Sequence, residues 1–304
     1  MAISRTQLVK ELEPGLNALF GLEYKRYENQ HAEIYTTESS DRAFEEEVML
    51  SGFANAQTKA EGSGVSFDSA QETYTARYTH DTIALAFAIT EEAIEDNLYD
   101  RISSRYTKAL ARSMSNAKQV KAVTPLIDGL PSTDGFDSGD GVSLFNTAHT
   151  TVSGTNVKNT LTTQADLNET SLEQSLIDIA AMTDERGLRI AARGVKMIVP
   201  SANQFTAERL MKSQGRTGTA DNDINAIGSM GMIPQGYRVN NYLTDSDAFY
   251  IITDVPNGMK MFQRAPLKTA MEGDFDTGNV RYKARERYAF GASDFRGIYG
   301  VEGA

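Results

Sequence analysis

The chain of 304 residues has no cysteine, no tryptophan, three histidines and seven prolines. Without cysteine there are no disulfides, no thiolate chemistry and no soft ligand for a structural zinc, and a reducing cytoplasm is the expected place of folding. Long apolar runs are missing too. The longest clean one, Ile83–Ile89, is far short of the roughly 20 residues of a membrane span, so no membrane partner is expected. The opening MAISRTQLVKELEPG lacks the apolar stretch of a signal peptide. Positive charge is in deficit, with 30 Lys and Arg against 41 Asp and Glu and a net charge of −11. Proteins that grip nucleic acid through its phosphates are normally basic, so the chain is not expected to grip DNA broadly. An acidic wall can still enclose nucleic acid, because it repels the phosphates and leaves them mobile. What is present, 40% hydrophobic and 23% charged residues, is the composition of a globular protein of about two domains.

Thr90–Thr124 reads as one long amphipathic helix. Thr90 is an N-cap, Glu91 and Glu92 face the positive end of the helix dipole, and Ile94, Leu98, Ile102, Tyr106, Ala109, Leu110, Ala117 and Val120 recur near helical spacing. Acids fill the first half and bases the second, and Pro125 is expected to stop the helix. At 1.5 Å per residue such a rod is roughly 50 Å long. It suits a strut between two domains.

Before the strut, residues 1–33 read as an arm with a short helix at Gln7–Leu12 and a second after Pro14. Phe44–Phe53 is β-compatible but acidic at Glu45, Glu46 and Glu47; a Gly- and Ser-rich tip follows, then an extended run, Glu72–Ile89. Within that run TYTARYTHD reads as polar on both faces, whereas Ile83, Leu85, Phe87 and Ile89 alternate with alanines. Such a hairpin has little apolar surface for its own domain and is expected to lie on a neighbouring subunit. After the strut come an Asp- and Gly-rich loop at Asp128–Gly141, a helix at Thr170–Gly187 closed by Gly187, and a strand at Val195–Val199 ended by Pro200. A helix capped by Ser201 or Asn203, a long loop over 213–236, and strands near Ala248–Ile252, Lys260–Phe262, Leu267–Glu272 and Val280–Phe290 complete an α/β pattern.

Catalytic motifs are weak. His31, His80 and His149 show no metal-ligand spacing, and Ser115–Lys118 matches S-x-x-K without the partner motifs of that nucleophile pair. Asp221, Asp223 and Asn225 echo a calcium loop, but Ala226 and Met232 occupy its Gly and Glu positions. Asp134, Asp137 and Asp140 read as loop carboxylates. No catalytic, cofactor or metal site is expected, although a two-domain α/β enzyme is the alternative from another functional class.

Gly141–His149, GVSLFNTAH, resembles a Gly-x-x-Leu-Phe-x-x-x-His segment in the major head proteins of phages related to Mu. Asn156–Asn159, Asp184-Glu185-Arg186-Gly187, Val199-Pro200 and Phe205-Thr206-Ala207-Glu208-Arg209-Leu210 follow in the order found in those proteins. The chain is similar to a tailed-phage major capsid protein of the Hong Kong 97 type. That resemblance implies an α+β fold with an N-terminal arm (1–33), an E-loop hairpin (34–88), a peripheral domain with the strut as its spine helix (89–127 and 264–293), and an axial domain (128–263 and 294–304). The loop over 213–236 would approach the capsomer axis. It also implies a structural role: hexamers and pentamers of an icosahedral head enclosing double-stranded DNA without sequence-specific binding, assembled in the host cytoplasm. A portal is an implied partner, with scaffold and decoration proteins as optional ones. An encapsulin-like shell is the alternative within the fold.

Some relatives form Lys–Asn crosslinks assisted by a Glu. Here Lys59 lies in the hairpin tip and Asn279 and Glu286 flank the last strand, but Arg285 falls where the assisting Glu would align. No crosslink is expected. Val280–Phe290 read as a strand puts Arg281, Lys283, Arg285 and Arg287 on one face. This is a charged edge strand, a DNA contact, which four bases against an acidic background make the weaker option, or a stripe that meets the acidic Glu45, Glu46 and Glu47 of a neighbouring subunit. The subunit contact is preferred.

Overall fold

The computed structural model describes residues 5–90, 92, 99–133, 135–216, 223–274 and 278–304. The chain begins with helix α1, Arg5–Arg26, whose basic last turn suits the negative end of the dipole. Two helices were expected; the structure has one, with Pro14 inside it. Leu16 and Phe20 are buried one turn apart, with Tyr24 packed beside them, so tertiary packing holds the helix in register past the proline.

Strand β1, Thr36–Ser39, follows a short 3₁₀ turn at Gln30–Glu33. Strands β2, Phe44–Leu50, and β3, Glu72–Thr79, pair antiparallel as a separate two-stranded sheet. Only His80 separates β3 from β4, Asp81–Ile89. Helix α2 covers Tyr99–Asp128. Its expected start, with Glu91, Ile94, Glu95, Asp96 and Leu98, lies outside the described residues.

Pro125 does not stop α2, which runs to Asp128. The missing N–H costs one hydrogen bond near the end of the helix. Leu126 and Leu130 are buried and hold the last turn in the core. Hydroxyls supply further bonds around the proline: Tyr35 Oη donates to Ala122 O at 2.6 Å and Tyr250 Oη to Leu126 O at 3.3 Å.

Short strands β5, His149–Thr150, and β6, Asn156–Val157, lead to α3, Glu169–Ala181. Asn168 caps α3 in a reciprocal box with Ser171. The expected end at Gly187 is corrected: α3 stops six residues earlier, and Gly187 (φ +83°) closes a separate turn. Then come β7, Gly194–Val199, a 3₁₀ turn at Ser201–Asn203, α4, Gln204–Lys212, α5, Ala226–Met230, and β8, Tyr237–Val239. Neither Ser201 nor Asn203 caps α4 with its side chain; the 3₁₀ turn leads directly into it. The expected loop over 213–236 contains α5, which the Asn225 side chain caps while donating to Leu210 O and Ser213 O. The chain closes with β9, Phe249–Thr253, β10, Met259–Gly273, β11, Val280–Ala292, and β12, Ile298–Val301.

Two four-stranded sheets result, in the orders β1-β10-β11-β4 and β12-β9-β7-β8. Strand β11 is therefore interior, which overturns the edge-strand reading. The first half of α2 (Leu110, Ala111, Met114) packs with Leu16, Phe20, Tyr282 and Ala284 in one core. Its second half (Ala122, Val123, Leu126) enters the large core around β7 and β9. The helix spans both, as a strut would. Among the described residues no helix is long and apolar enough to cross a membrane.

Candidate assembly surfaces

The Gly141–His149 motif builds the joint between the α2 end and the β9/β12 sheet. Leu144 and Phe145 are fully buried. Phe145 lies against Gly300, where a Cβ would stand 2.6 Å from the ring, so only glycine fits. His149 is stacked on Phe295 at 3.8 Å, with Nδ1 2.6 Å from Asp140 and Nε2 3.1 Å from Asn159 Oδ1. Asn159 Nδ2 donates to the carbonyls of Leu144, Phe295 and Ile298. Burial pushes the Asp140 carboxyl up, but bonds from His149 and Ser138 outweigh it and hold it below the usual range. This is structural chemistry.

The Asp-Glu-Arg-Gly turn has four separate jobs. Asp184 Oδ1 accepts from the N–H groups of Arg186 and Leu188. Glu185 meets the buried Arg296 at 2.7 Å, and Arg296 also pairs with Asp294 at 3.2 Å. Arg186 Nη2 donates to Ser69 O at 2.6 Å, gripping the returning limb of the hairpin. Gly187 supplies the positive φ. The sequence motif is thus a rigid bracket for the hairpin.

The hairpin is anchored at its root and bare beyond it. The expectation that TYTARYTHD is polar on both faces is corrected, because Tyr74, Ala76 and Tyr78 alternate onto one packed face. Tyr78 lies on Phe262 and Gly291, where a Cβ would be 2.7 Å from the Tyr78 ring, and its hydroxyl meets Ser293 Oγ at 2.5 Å. Outward, Val48, Leu50, Phe53, Val65 and Phe67 are 46 to 98% exposed. These side chains have no core of their own.

The acidic triad, expected to meet a neighbouring subunit, is partly engaged within its own chain. Glu47 and Glu38 both reach Lys260. Burial lowers the Lys260 ammonium, but the two carboxylates outweigh it and hold it above its ordinary value. Glu45 accepts from Ser40 Oγ at 2.7 Å, and that hydroxyl also meets His80. Glu46 lies 3.8 Å from Arg77, which covers the Phe44 ring. Lys59 is exposed at the tip.

On the β1-β10-β11-β4 sheet, α1 and α2 cover one face. The other presents Arg281, Lys283, Arg285 and the half-buried Arg287. Register adds Lys268 opposite Arg285, and Ala84, Ala86 and Ala88 as an exposed flat shelf on β4. Arg281 pairs with Asp274. Leu85, expected with Ile83 and Phe87 on the packed face, is 46% exposed because the helices do not reach it.

Glu286 faces the helices and is fully buried. It bonds Lys118 Nζ at 3.2 Å, joining β11 to α2, and its charge opposes ionisation of Tyr24 on α1. Burial raises the Glu286 carboxyl and Lys118 opposes that shift. His31 Nδ1 accepts from Gln119 at 3.0 Å; burial, with Lys118 adding to it, lowers the imidazole to about 4. Sequence reasoning missed this cluster because Lys118 and Glu286 are 168 residues apart. Among the described residues no group of three or more His, Asp or Glu is placed to hold a metal ion.

Comparison with solved structures gives several full-length matches. A chain from the procapsid of bacteriophage JBD30 has a TM-score of 0.55 at 14% identity over 99% of this chain and 77% of that one. The capsid of an empty GTA particle gives 0.56 at 13% identity over 90% and 89%. A virus-like particle from Pyrococcus furiosus gives 0.53 at 8% identity over 94% and 98%. No curated protein matches the chain. The profile of the phage capsid protein family matches residues 73–301, from β3 to the end of β12. The mixed α+β architecture is that of Hong Kong 97-type capsid proteins, and the chain belongs to the phage capsid protein family.

Proposed function

We propose that this chain is the major head subunit of a tailed phage of the Mu-related group, forming hexamers and pentamers of an icosahedral shell around double-stranded DNA. Residues 1–33 serve as the arm and 34–88 as the E-loop. Residues 89–127 and 264–293 form the peripheral domain, and 128–263 with 294–304 the axial domain. Assembly takes place in the host cytoplasm, with a portal at one vertex and scaffold or decoration proteins as optional partners.

The observation that carries this reading is the hairpin. Its outer limb holds Phe53, Val65 and Phe67 in water, a cost that burial against another subunit removes. The hairpin is also acidic: residues 44–79 hold Glu45, Glu46, Glu47, Glu61, Asp68 and Glu72 against Lys59 and Arg77. The cationic sheet face of a neighbouring copy is complementary, and its alanine shelf admits close approach. Purified protein should elute as particles of megadalton size and show closed shells by electron microscopy. A small oligomer under all assembly conditions overturns the reading.

A further inference from the structure

The sheet has two cationic sides, and the hairpin accounts for only one. The other belongs to α2. Between Arg101 and Ile127 the sequence has no Asp or Glu, in a chain whose net charge is −11. Arg105, Lys108 and Arg112 are exposed and recur at spacings of three and four, so they stand on one line of the helix. Arg112 Nε donates to Tyr27 Oη at 2.9 Å, which brings the exposed basic end of α1, Lys25 and Arg26, beside the line. Glu23 is nearly buried there and turned toward Arg26 and Tyr27. The ridge has no apolar core function, since the buried face of α2 is Leu110, Ala111 and Met114.

We infer that this ridge is a weak, sequence-independent contact for the phosphates of duplex DNA. The inference rests on the shell reading above, in which the hairpin covers the sheet face and leaves the helical face free. Arg105 to Arg112 spans about 10 Å at 1.5 Å per residue. Over that length one strand of a duplex presents on the order of three phosphates, one for each cation. The ridge offers only positive charge at a fixed spacing. It would hold DNA locally while the acidic remainder of the chain keeps it mobile.

The test uses full-chain subunit in its unassembled form and a fluorescent duplex of about 30 base pairs, with anisotropy followed across salt concentration. Three phosphate contacts give a log–log salt slope near −2.7. Arg105→Gln with Lys108→Gln should make that slope shallower by about 2 and weaken low-salt binding about tenfold. Lys268→Gln with Arg285→Gln, on the sheet face that only the assembled shell covers, should give the smaller loss in both, since Arg281 there is paired with Asp274 and Arg287 is half-buried. The inference is overturned by no binding of the parent chain, by unaltered binding of the α2 pair, or by an equal loss in the sheet pair. Tighter, equally salt-sensitive capture of poly-glutamate than of DNA overturns it in favour of an acidic protein partner. Particle formation by both variants is scored separately by sizing. Failure of the parent to form particles breaks the shell reading whatever the anisotropy shows.

Discussion

In the β12-β9-β7-β8 body, Phe249, Tyr250, Ile251, Met197, Ile298 and Tyr299 are fully buried; in the hairpin, Leu50 and Phe53 are each 61% exposed and Phe67 is 98% exposed. The two regions use the same kinds of residue for different ends. The body closes on itself, each large side chain meeting another from its own chain. The hairpin packs its apolar side chains only at the root, through Tyr74, Ala76 and Tyr78, and among the described residues its outer apolar side chains stay exposed. A substitution in the body should therefore register in the isolated subunit, and one in the outer hairpin only in the assembly.

Deleting Asn55–Phe67 should have the largest effect. The subunit keeps its melting temperature within a few degrees, while sizing and microscopy show no closed shells. Normal shells would mean that the tip is not an assembly element. Arg285→Glu with Arg287→Glu comes next: the parent should lose assembly as salt rises, and the double variant should fail to assemble at any salt while remaining folded by circular dichroism. Individual exposed pairs contribute less than about 1 kcal/mol, so the effect requires several acting at one interface. Shells as salt-resistant as the parent's would reduce the stripe to a solvated face.

Phe145→Ala and Phe67→Ala sharpen the contrast within one residue type. The first empties space against Gly300 and Tyr250 and should cost about 3–5 kcal/mol in urea unfolding of the subunit. The second should cost less than about 0.5 kcal/mol there and appear only as weaker shells. Equal effects in the subunit would erase the distinction.

Acid should loosen the arm before the body. His31 has an ordinary pKa of 6.5 and a folded value of about 4. Its neutral form therefore contributes stability that is present above pH 6.5 and lost as pH falls toward 4, on the order of 3 kcal/mol in all. Glu286 has the opposite sign: its carboxyl is raised by burial, so its protonation on acidification offsets part of the loss. The melting temperature of the parent should fall between pH 6.5 and 4, and that of His31→Gln should fall less. Identical profiles would remove His31 from the account. The smallest effect is a null: boiled, denatured shells should give a single band near 33 kDa. Glu286 lies beneath the sheet, on the opposite face from Arg285, and is not placed to assist a reaction on the exposed side. A ladder abolished by Lys59→Ala would contradict that.

Periodic features were legible in the sequence, because burial on one face writes a pattern of 2 or 3.6 into the residues themselves. Strands β4 and β11 and the strut follow from such patterns; β7 showed as a short apolar run ended by Pro200, and the order of motifs around Gly141–His149 only through resemblance. Pro14 and Pro125 misled because a local penalty of one hydrogen bond is small beside the packing of Phe20 on one side and Leu126 on the other. The intrachain pairing of Glu47 was not legible because its partner, Lys260, is 213 residues away. The same holds for Lys118 with Glu286. Charge pairing between distant strands leaves no local trace.

His80, the residue between β3 and β4, joins two strands with different partners in one continuous extended segment. On one side β4 is fixed in the sheet by β11; on the other β3 pairs with β2 and is held by Tyr78 against Phe262 and, past its far end, by Arg186 at Ser69. Eight residues of β3 at about 3.3 Å each set the reach of the hairpin at roughly 26 Å. Because that length is clamped at both ends, the body itself aims the bare tip, and the direction of a subunit's grip is decided before any neighbour arrives.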